Sequence, residues 1–243
     1  MKYAIIAAGE GSRLAAEGIA LPKPLVKVGG ECLIDRLIRI FMNHNPEEIV
    51  VICNAHKTLV AQHLVSLQRD GLEGRPVPLR FVVKNTPSSM HSFFEISKYL
   101  IDAPFILTTV DTIFNEDEFS EYVKAFQAYK GDGLMGVTEY VDDEKPLYVE
   151  TDESMNITAF RDEPATCHYV SGGIYGLHPS AIFTLNNCIA RSESRMRNFQ
   201  RALVTEGRKL RAWAFSKVLD IDHAQDILTA EEYIKIRSIS RHS

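Results

Sequence analysis

The residues best suited to chemistry sit near the start of the chain. An apolar run from Tyr3 to Ala8 leads into Gly9-Glu10-Gly11-Ser12-Arg13-Leu14, and then into Leu21-Pro22-Lys23-Pro24-Leu25. Glycines directly after a strand let backbone N–H groups close on phosphate oxygens with no side chain in the way. Ala8, Gly9, Gly11 and Ser12 are therefore candidate phosphate-binding positions, with Arg13 and Lys23 as candidate neutralisers of phosphate charge. A Gly-x-Gly pair alone would be no more than a tight turn. The third glycine of a dinucleotide fingerprint is missing and no G-x-x-x-x-G-K-[ST] occurs, so neither that fingerprint nor a P-loop fits. The arginine and lysine behind the glycines lift the stretch above a turn. Farther on, Phe105-Ile106-Leu107-Thr108-Thr109-Val110-Asp111 ends an apolar run on an acid, where open α/β sheets place ligands. A second acidic stretch, Asp220-Ile221-Asp222, precedes the last helical segment.

These groups need a scaffold, and the pattern supplies one. Short apolar runs at Tyr3 to Ala7, Glu48 to Cys53, Leu79 to Val83 and Phe105 to Thr109 read as strands. Helical segments alternate with them. In Leu33 to Met42, residues Leu33, Ile34, Leu37, Ile38 and Phe41 share one face, and further helices are expected at Leu59 to Gln68, Phe93 to Leu100 and Glu116 to Tyr129. Such alternation predicts a parallel sheet with crossover helices. After Gly133 the pieces shorten to Leu134 to Tyr140, Leu147 to Glu150, Ile157 to Phe160 and Tyr169 to Tyr175, which suggests added antiparallel strands. Helices return at Pro179 to Asn186 and Arg195 to Thr205, followed by a strand at Leu210 to Phe215 and a closing helix from Ala224 to Ile236. With no internal repeat or linker, residues 1–243 are expected to form a single α/β domain, Rossmann-like, with a mixed, mainly parallel sheet and helices on both faces.

Composition narrows the function classes. A chain of 243 residues with 45% hydrophobic and 24% charged residues can bury a full core. A formal charge of −5 argues against coating nucleic acid or an anionic membrane. That charge is uneven: residues 1–30 carry +2, whereas residues 111–163 carry 15 acids against 4 bases. Cys32, Cys53, Cys167 and Cys188 are too scattered for a zinc site and read as reduced thiols. No signal peptide and no membrane-spanning run is evident, so a cytoplasmic location is expected.

Together, Ala7-Ala8-Gly9-x-Gly11-x-Arg13-Leu14 and the later Pro22-Lys23-Pro24-Leu25 resemble the signature of the sugar-1-phosphate nucleotidyltransferases. That resemblance implies the nucleotide-diphospho-sugar transferase fold and transfer of NMP from an NTP to a phosphorylated small-molecule acceptor, with release of pyrophosphate. It also implies roles. Arg13 would steady the β- and γ-phosphates, and Lys23 would bridge the α-phosphate and the incoming phosphate. Mg²⁺ would accompany the triphosphate, held by Asp111 and by either Asp220 or Asp222, although Asp222 could instead cap the closing helix. Residues 84–95 occupy the slot that reads the base, with Lys84 and Ser89 as candidates, and Ser88 or Ser89 could equally be ordinary helix caps.

On the acceptor side, Val170-Ser171-Gly172-Gly173-Ile174-Tyr175 resembles the family's Gly-Ile-Tyr strand, which makes Gly173 an acceptor-binding candidate. The family's Glu-Lys-Pro is replaced by Asp162-Glu163-Pro164, leaving Arg161, or the arginines Arg191, Arg195, Arg197 and Arg201, to hold the acceptor phosphate. This departure opens a phosphocholine-type cytidylyltransferase as the alternative, with Trp213 and tyrosines as a cage for the quaternary ammonium. A glycosyltransferase on the same fold, using Asp220-Ile221-Asp222 as its metal motif, fits less well beside Arg13 and Lys23. The chain could form a homo-oligomer. The β-helix appended in some relatives is expected to be absent, since Ser243 follows soon after the closing helix.

Overall fold

A computed structural model describes residues 1–141 and 144–240. Its first half runs β1 (Lys2–Ala7), α1 (Ser12–Ala16), β2 (Lys27–Val28), β3 (Glu31–Cys32), α2 (Leu33–Met42), β4 (Ile49–Cys53), α3 (Thr58–Asp70), β5 (Leu79–Val83), α4 (Ser89–Ser97), β6 (Phe105–Thr109), β7 (Thr112–Phe114) and α5 (Glu116–Ala128). The second half continues with β8 (Gly133–Thr138), β9 (Tyr148–Thr151), β10 (Ile157–Arg161), β11 (Tyr169–Leu177), α6 (Ala181–Ala190), α7 (Met196–Thr205), β12 (Leu210–Phe215), β13 (Val218–Asp220) and α8 (Ala224–Ser240).

The main sheet is ordered β10-β9-β11-β6-β1-β4-β5, with β8 pairing β11 and β12. β1 lies parallel to both β4 and β6, β4 to β5, and β12 to β8. β11 is antiparallel to β6, β8 and β9. Since β10 is antiparallel to β9, every strand of the sheet except β10 and β11 points the same way. This is the mixed, mainly parallel sheet that the alternating pattern predicts.

The sheet is covered on both faces, which explains its nearly continuous apolar strands. Tyr3, Ile5 and Ala7 of β1 join one core with residues of α2, α3 and α5, while Ala4 and Ile6 join a second core with residues of α4, α6 and α7. The five residues expected to form the stripe of α2 are all buried. Asn115 caps α5, its Oδ1 accepting from the N–H groups of Asp117 and Glu118, and three acids in the first turn suit the helix dipole. No helix among the described residues is long and apolar enough to cross a membrane.

The differences from expectation are local. α4 begins at Ser89 rather than Phe93, because the Ser88 side chain accepts from the His91 N–H and sets an earlier start. α1 and the β7–β13 pair are not predicted from the pattern. Helical or strand periodicity is weak over five residues and weaker over three. These short elements nevertheless hold Arg13 and Asp220 and lead into Asp222.

Candidate active site

Four parallel strands deliver the site from their carboxyl ends. The segments that leave β1, β4, β5 and β6 contribute Gly9, Asn54, Asn85 and Asp111 respectively to one cleft of about 420 Å³. Ala8, Gly11, Lys23 and Ser89 line it as well. Gly11 adopts φ +64°, and a Cβ there would come within 3.3 Å of the Lys23 Cβ. Only glycine meets both demands without strain, so Gly11 lets the signature loop lie against Lys23. Lys23 itself opens a single 3₁₀ turn, Lys23–Leu25, with Pro22 before it and Pro24 inside it. Two prolines fix the backbone around the lysine in advance.

A separate two-stranded sheet positions the acids. β13 pairs antiparallel with β7, placing Asp220 opposite Thr112, and the Ile221 N–H donates to the Asp111 carbonyl at 3.2 Å. Ile221 is fully buried, while Asp220 and Asp222 on either side of it line a second pocket together with Arg13, Tyr140, Glu144, Ser171 and Gly172. The Lys23 ammonium donates to Asp111 Oδ2 and to Asp222 Oδ1, both at 2.7 Å, and Arg13 Nη1 donates to Asp222 Oδ2 at 2.7 Å. The Lys23–Asp222 contact thus stands between the two pockets.

Charge follows geometry here. Burial alone would push the Lys23 ammonium down, but Coulomb attraction and hydrogen bonds from Asp111 and Asp222 outweigh it and raise its pKa above the ordinary lysine value. Burial would likewise raise Asp222, yet its bond to Lys23, with Arg13 nearby, holds it below the usual carboxylate range. Between the two late aspartates, Asp222 is the one bonded to Lys23 and Arg13. Its capping role falls to other residues. Asp226 Oδ2 accepts from the N–H groups of Asp222 and His223, and Glu17 Oε2 accepts from that of Ala224.

Asp111 and Asp222 present carboxylate oxygens to a single cation at the edge of the nucleotide-sized cleft. A hard divalent ion that arrives with a triphosphate uses this kind of donor set, one or two carboxylates plus substrate phosphates. These two residues could therefore hold such an ion. No group of three or more His, Cys, Asp or Glu side chains suited to a metal occurs among the described residues.

Other expected residues lie apart from this centre. The Lys84 ammonium pairs with Glu95 on α4 at 2.7 Å and is not among the cleft-lining residues. Ser88 caps α4, and both Ser88 and Ser89 line the cleft, so capping and cleft lining coexist at Ser88. Ser12 opens α1 behind the loop. Gly173 sits at φ +69° beside Thr109 and Thr112, where the β8–β11 register shifts. Its neighbour Gly172 is the one lining the second pocket. Arg161 pairs with Glu150 on β9, Arg191 with Glu193 and Glu206, and both Arg197 and Arg201 with Asp162. Arg161, Arg191, Arg197 and Arg201 are therefore ion-paired locally rather than gathered at the second pocket, while Arg195 lines a separate pocket with Arg197 and Arg201. Sequence reasoning missed Asn54 and Asn85. The signal was available in their position directly beyond a parallel strand.

The sequence profile described as nucleotidyl transferase matches residues 2–236. The chain belongs to the nucleotidyl transferase family. Among curated relatives, the bifunctional protein GlmU of Methanococcus maripaludis is 22% identical over 249 residues, covering 100% of this chain and 56% of that protein. The UTP–glucose-1-phosphate uridylyltransferase AglF of Haloferax volcanii is 25% identical over 248 residues, covering 97% of each. The chain spans about half the length of several relatives in the family, GlmU included. The solved inositol-1-phosphate CTP transferase from T. maritima shares the fold, with a TM-score of 0.77, 20% identity and 96% of both chains covered.

Proposed function

We propose that this chain transfers NMP from an NTP to a phosphorylated, polyhydroxylated acceptor and releases pyrophosphate, with Mg²⁺ held by Asp111 and Asp222. The observation that carries the reading is Lys23, whose ammonium joins both carboxylates at the boundary between the loop cleft and the Asp222 pocket. An acceptor phosphate is already a competent nucleophile. Its oxygen forms the new bond to the α-phosphorus as the bond to pyrophosphate breaks, and no general base is needed. What the reaction needs is charge neutralisation and alignment. Lys23 can serve the α-phosphate and the incoming phosphate from one position, and Arg13, which lines the second pocket beside Asp222 and not the loop cleft, would have to reach the departing pyrophosphate from that side. Bound Mg²⁺ would supply further neutralisation along the triphosphate.

The acceptor class follows from the second pocket. Glu144, Asp220, Ser171 and Thr138 line it, a set that accepts hydrogen bonds from ring hydroxyls. A quaternary ammonium would instead require open aromatic faces. Tyr140 lines the pocket, but the Lys217 ammonium lies 4.0 Å from its ring centroid. Trp213 packs on Tyr122 and Phe215. A sugar phosphate or cyclic polyol phosphate is therefore favoured over phosphocholine, in keeping with relatives named for glucose-1-phosphate and mannose-1-phosphate. The test screens ATP, CTP, GTP, UTP and dTTP against sugar phosphates, inositol phosphate and phosphocholine, with pyrophosphate release as readout. Consumption of an NDP-sugar without pyrophosphate would overturn the proposal in favour of a glycosyltransferase.

A further inference from the structure

The residue that ends the helix carrying Arg13 is an acid that sequence reading gives no role. Glu17 follows Arg13 by one turn of α1, its N–H bonded to the Arg13 carbonyl at 3.1 Å. Arg13 grips the Asp222 carboxylate. Glu17 grips the next two residues, its Oε1 meeting His223 Nδ1 and its Oε2 accepting from the Ala224 N–H at 2.7 Å. One turn of helix therefore holds three consecutive residues from the far end of the chain. Asp226 adds its bonds to the N–H groups of Asp222 and His223 from the other side, so the backbone that aims Asp222 is fixed by two carboxylates.

We propose that Glu17 is a positioning residue for Asp222, locking the 222–224 segment so that the Asp222 carboxylate is held ready for the metal–nucleotide complex. This rests on the role given to Asp222 in the proposed function. The ion pair with His223 does not by itself account for Glu17, because the two side chains are 37% and 41% exposed and such surface pairs add little stability. Its bond to the Ala224 N–H caps α8 as well, a contribution that Tm reads separately. Residues that orient a metal ligand, in contrast, commonly change metal affinity 10–100-fold when removed.

The test is a double-mutant cycle of E17A and D222N in the full chain. It reads affinity for the Mn²⁺ complexes of ATP, CTP, GTP, UTP and dTTP by water-proton relaxation, with Tm measured alongside. E17A is expected to weaken binding 10–100-fold while Tm stays within about 4 °C. E17Q, which keeps an acceptor for the Ala224 N–H, should fall between E17A and wild type, and it decides the matter if E17A lowers Tm further. In the D222N background, E17A should add nothing, since its effect runs through Asp222. Affinity of E17A within twofold of wild type, or an undiminished E17A effect on top of D222N, would overturn the positioning role alone. Wild-type protein that binds no Mn²⁺–nucleotide complex, or D222N that binds as tightly as wild type, would overturn the metal assignment and this inference with it.

Discussion

Lys23→Met removes an ammonium that two carboxylates share, and its consequences can be worked from the distances. At 2.7 Å and an effective dielectric near 20, each contact carries roughly 6 kcal/mol of Coulomb attraction. Desolvation of the ammonium returns most of it. The Asp111 and Asp222 side chains are 19% and 39% exposed, so water partly screens them once the lysine is gone, and Arg13 still pairs with Asp222. The net loss is accordingly smaller than for a fully buried broken pair, about 1–2 kcal/mol. For a chain of this size that lowers Tm by roughly 2–8 °C. Turnover should fall further, about 10²–10³-fold, because a fixed charge at the reacting phosphate has no replacement. Metal separates the two effects. On the proposed metal assignment a divalent ion displaces the ammonium in the wild type, whereas in the variant it meets an uncompensated Asp111 and an Asp222 paired only with Arg13, so Mg²⁺ should raise the Tm of K23M more than that of wild type. Scanning fluorimetry with and without Mg²⁺, run beside the pyrophosphate assay, reads both quantities. Wild-type turnover, or a Mg²⁺ stabilisation no larger than in the wild type, would refute the reasoning.

Asp111→Asn should abolish metal-dependent pyrophosphate release with circular dichroism unchanged, and retained activity would remove Asp111 from the metal site. Gly11→Ala places a Cβ at φ +64° and 3.3 Å from the Lys23 Cβ, which should cost about 1–2 kcal/mol and raise the KM for NTP severalfold, as urea melts and steady-state kinetics will show. His63 lies 2.6 Å from Asp35, joining α3 to α2, and that hydrogen bond raises its pKa above the ordinary histidine value. A raised folded pKa means that the stabilisation is complete below about 6.5 and disappears as pH rises through the folded value. Urea melts of wild type and His63→Gln should accordingly differ at pH 5.5 and converge at high pH, and a gap independent of pH would contradict the ion pair. In a urea titration, activity should be lost before far-UV circular dichroism, because the β7–β13 pair is too short to stand alone. Coincident transitions would show that this pair unfolds only with the main sheet.

Much of the architecture was legible because burial on both faces leaves a strong mark. The limits of β5, β6, α2 and β12 coincide with the expected Leu79 to Val83, Phe105 to Thr109, Leu33 to Met42 and Leu210 to Phe215, each an apolar run or stripe ended by polar residues or turn formers. Arg13, Lys23 and Asp111, singled out by spacing behind a strand or by position at a strand end, are brought by the structure into one ion-pair network with Asp222. That Asp222, rather than Asp220, bonds to Lys23 was not legible in the sequence. That choice depends on the pairing of β13 with β7 and on the inward anchoring of Ile221, which put both acids on the pocket side and only then bring Asp222 to Lys23. Capping chemistry misled in the same way: an aspartate before a helix invites the cap assignment, yet here Asp226, four residues on, reaches back to do that work. The arginines illustrate a further limit. Helical spacing shows that Arg197 and Arg201 can face one way, but the single carboxylate of exposed Asp162, just beyond β10, pairs with both, and no spacing rule reveals a partner so far back along the chain.

The charges at the centre explain how an acidic chain can serve a polyanion. Arg13 and Lys23 are matched by Asp111 and Asp222, so the site stores no excess positive charge before substrate arrives. Two basic side chains already bound to two acids are a weak trap for a triphosphate by themselves. On the proposed chemistry Asp111 and Asp222 would hold Mg²⁺ arriving with the nucleotide, the ion would supply the missing positive charge, and Lys23 would then be free to bond phosphate. The same carboxylates that hold the lysine in the resting site thereby make its availability depend on metal, and the net charge of −5 poses no barrier to a ligand that carries its own counter-ion.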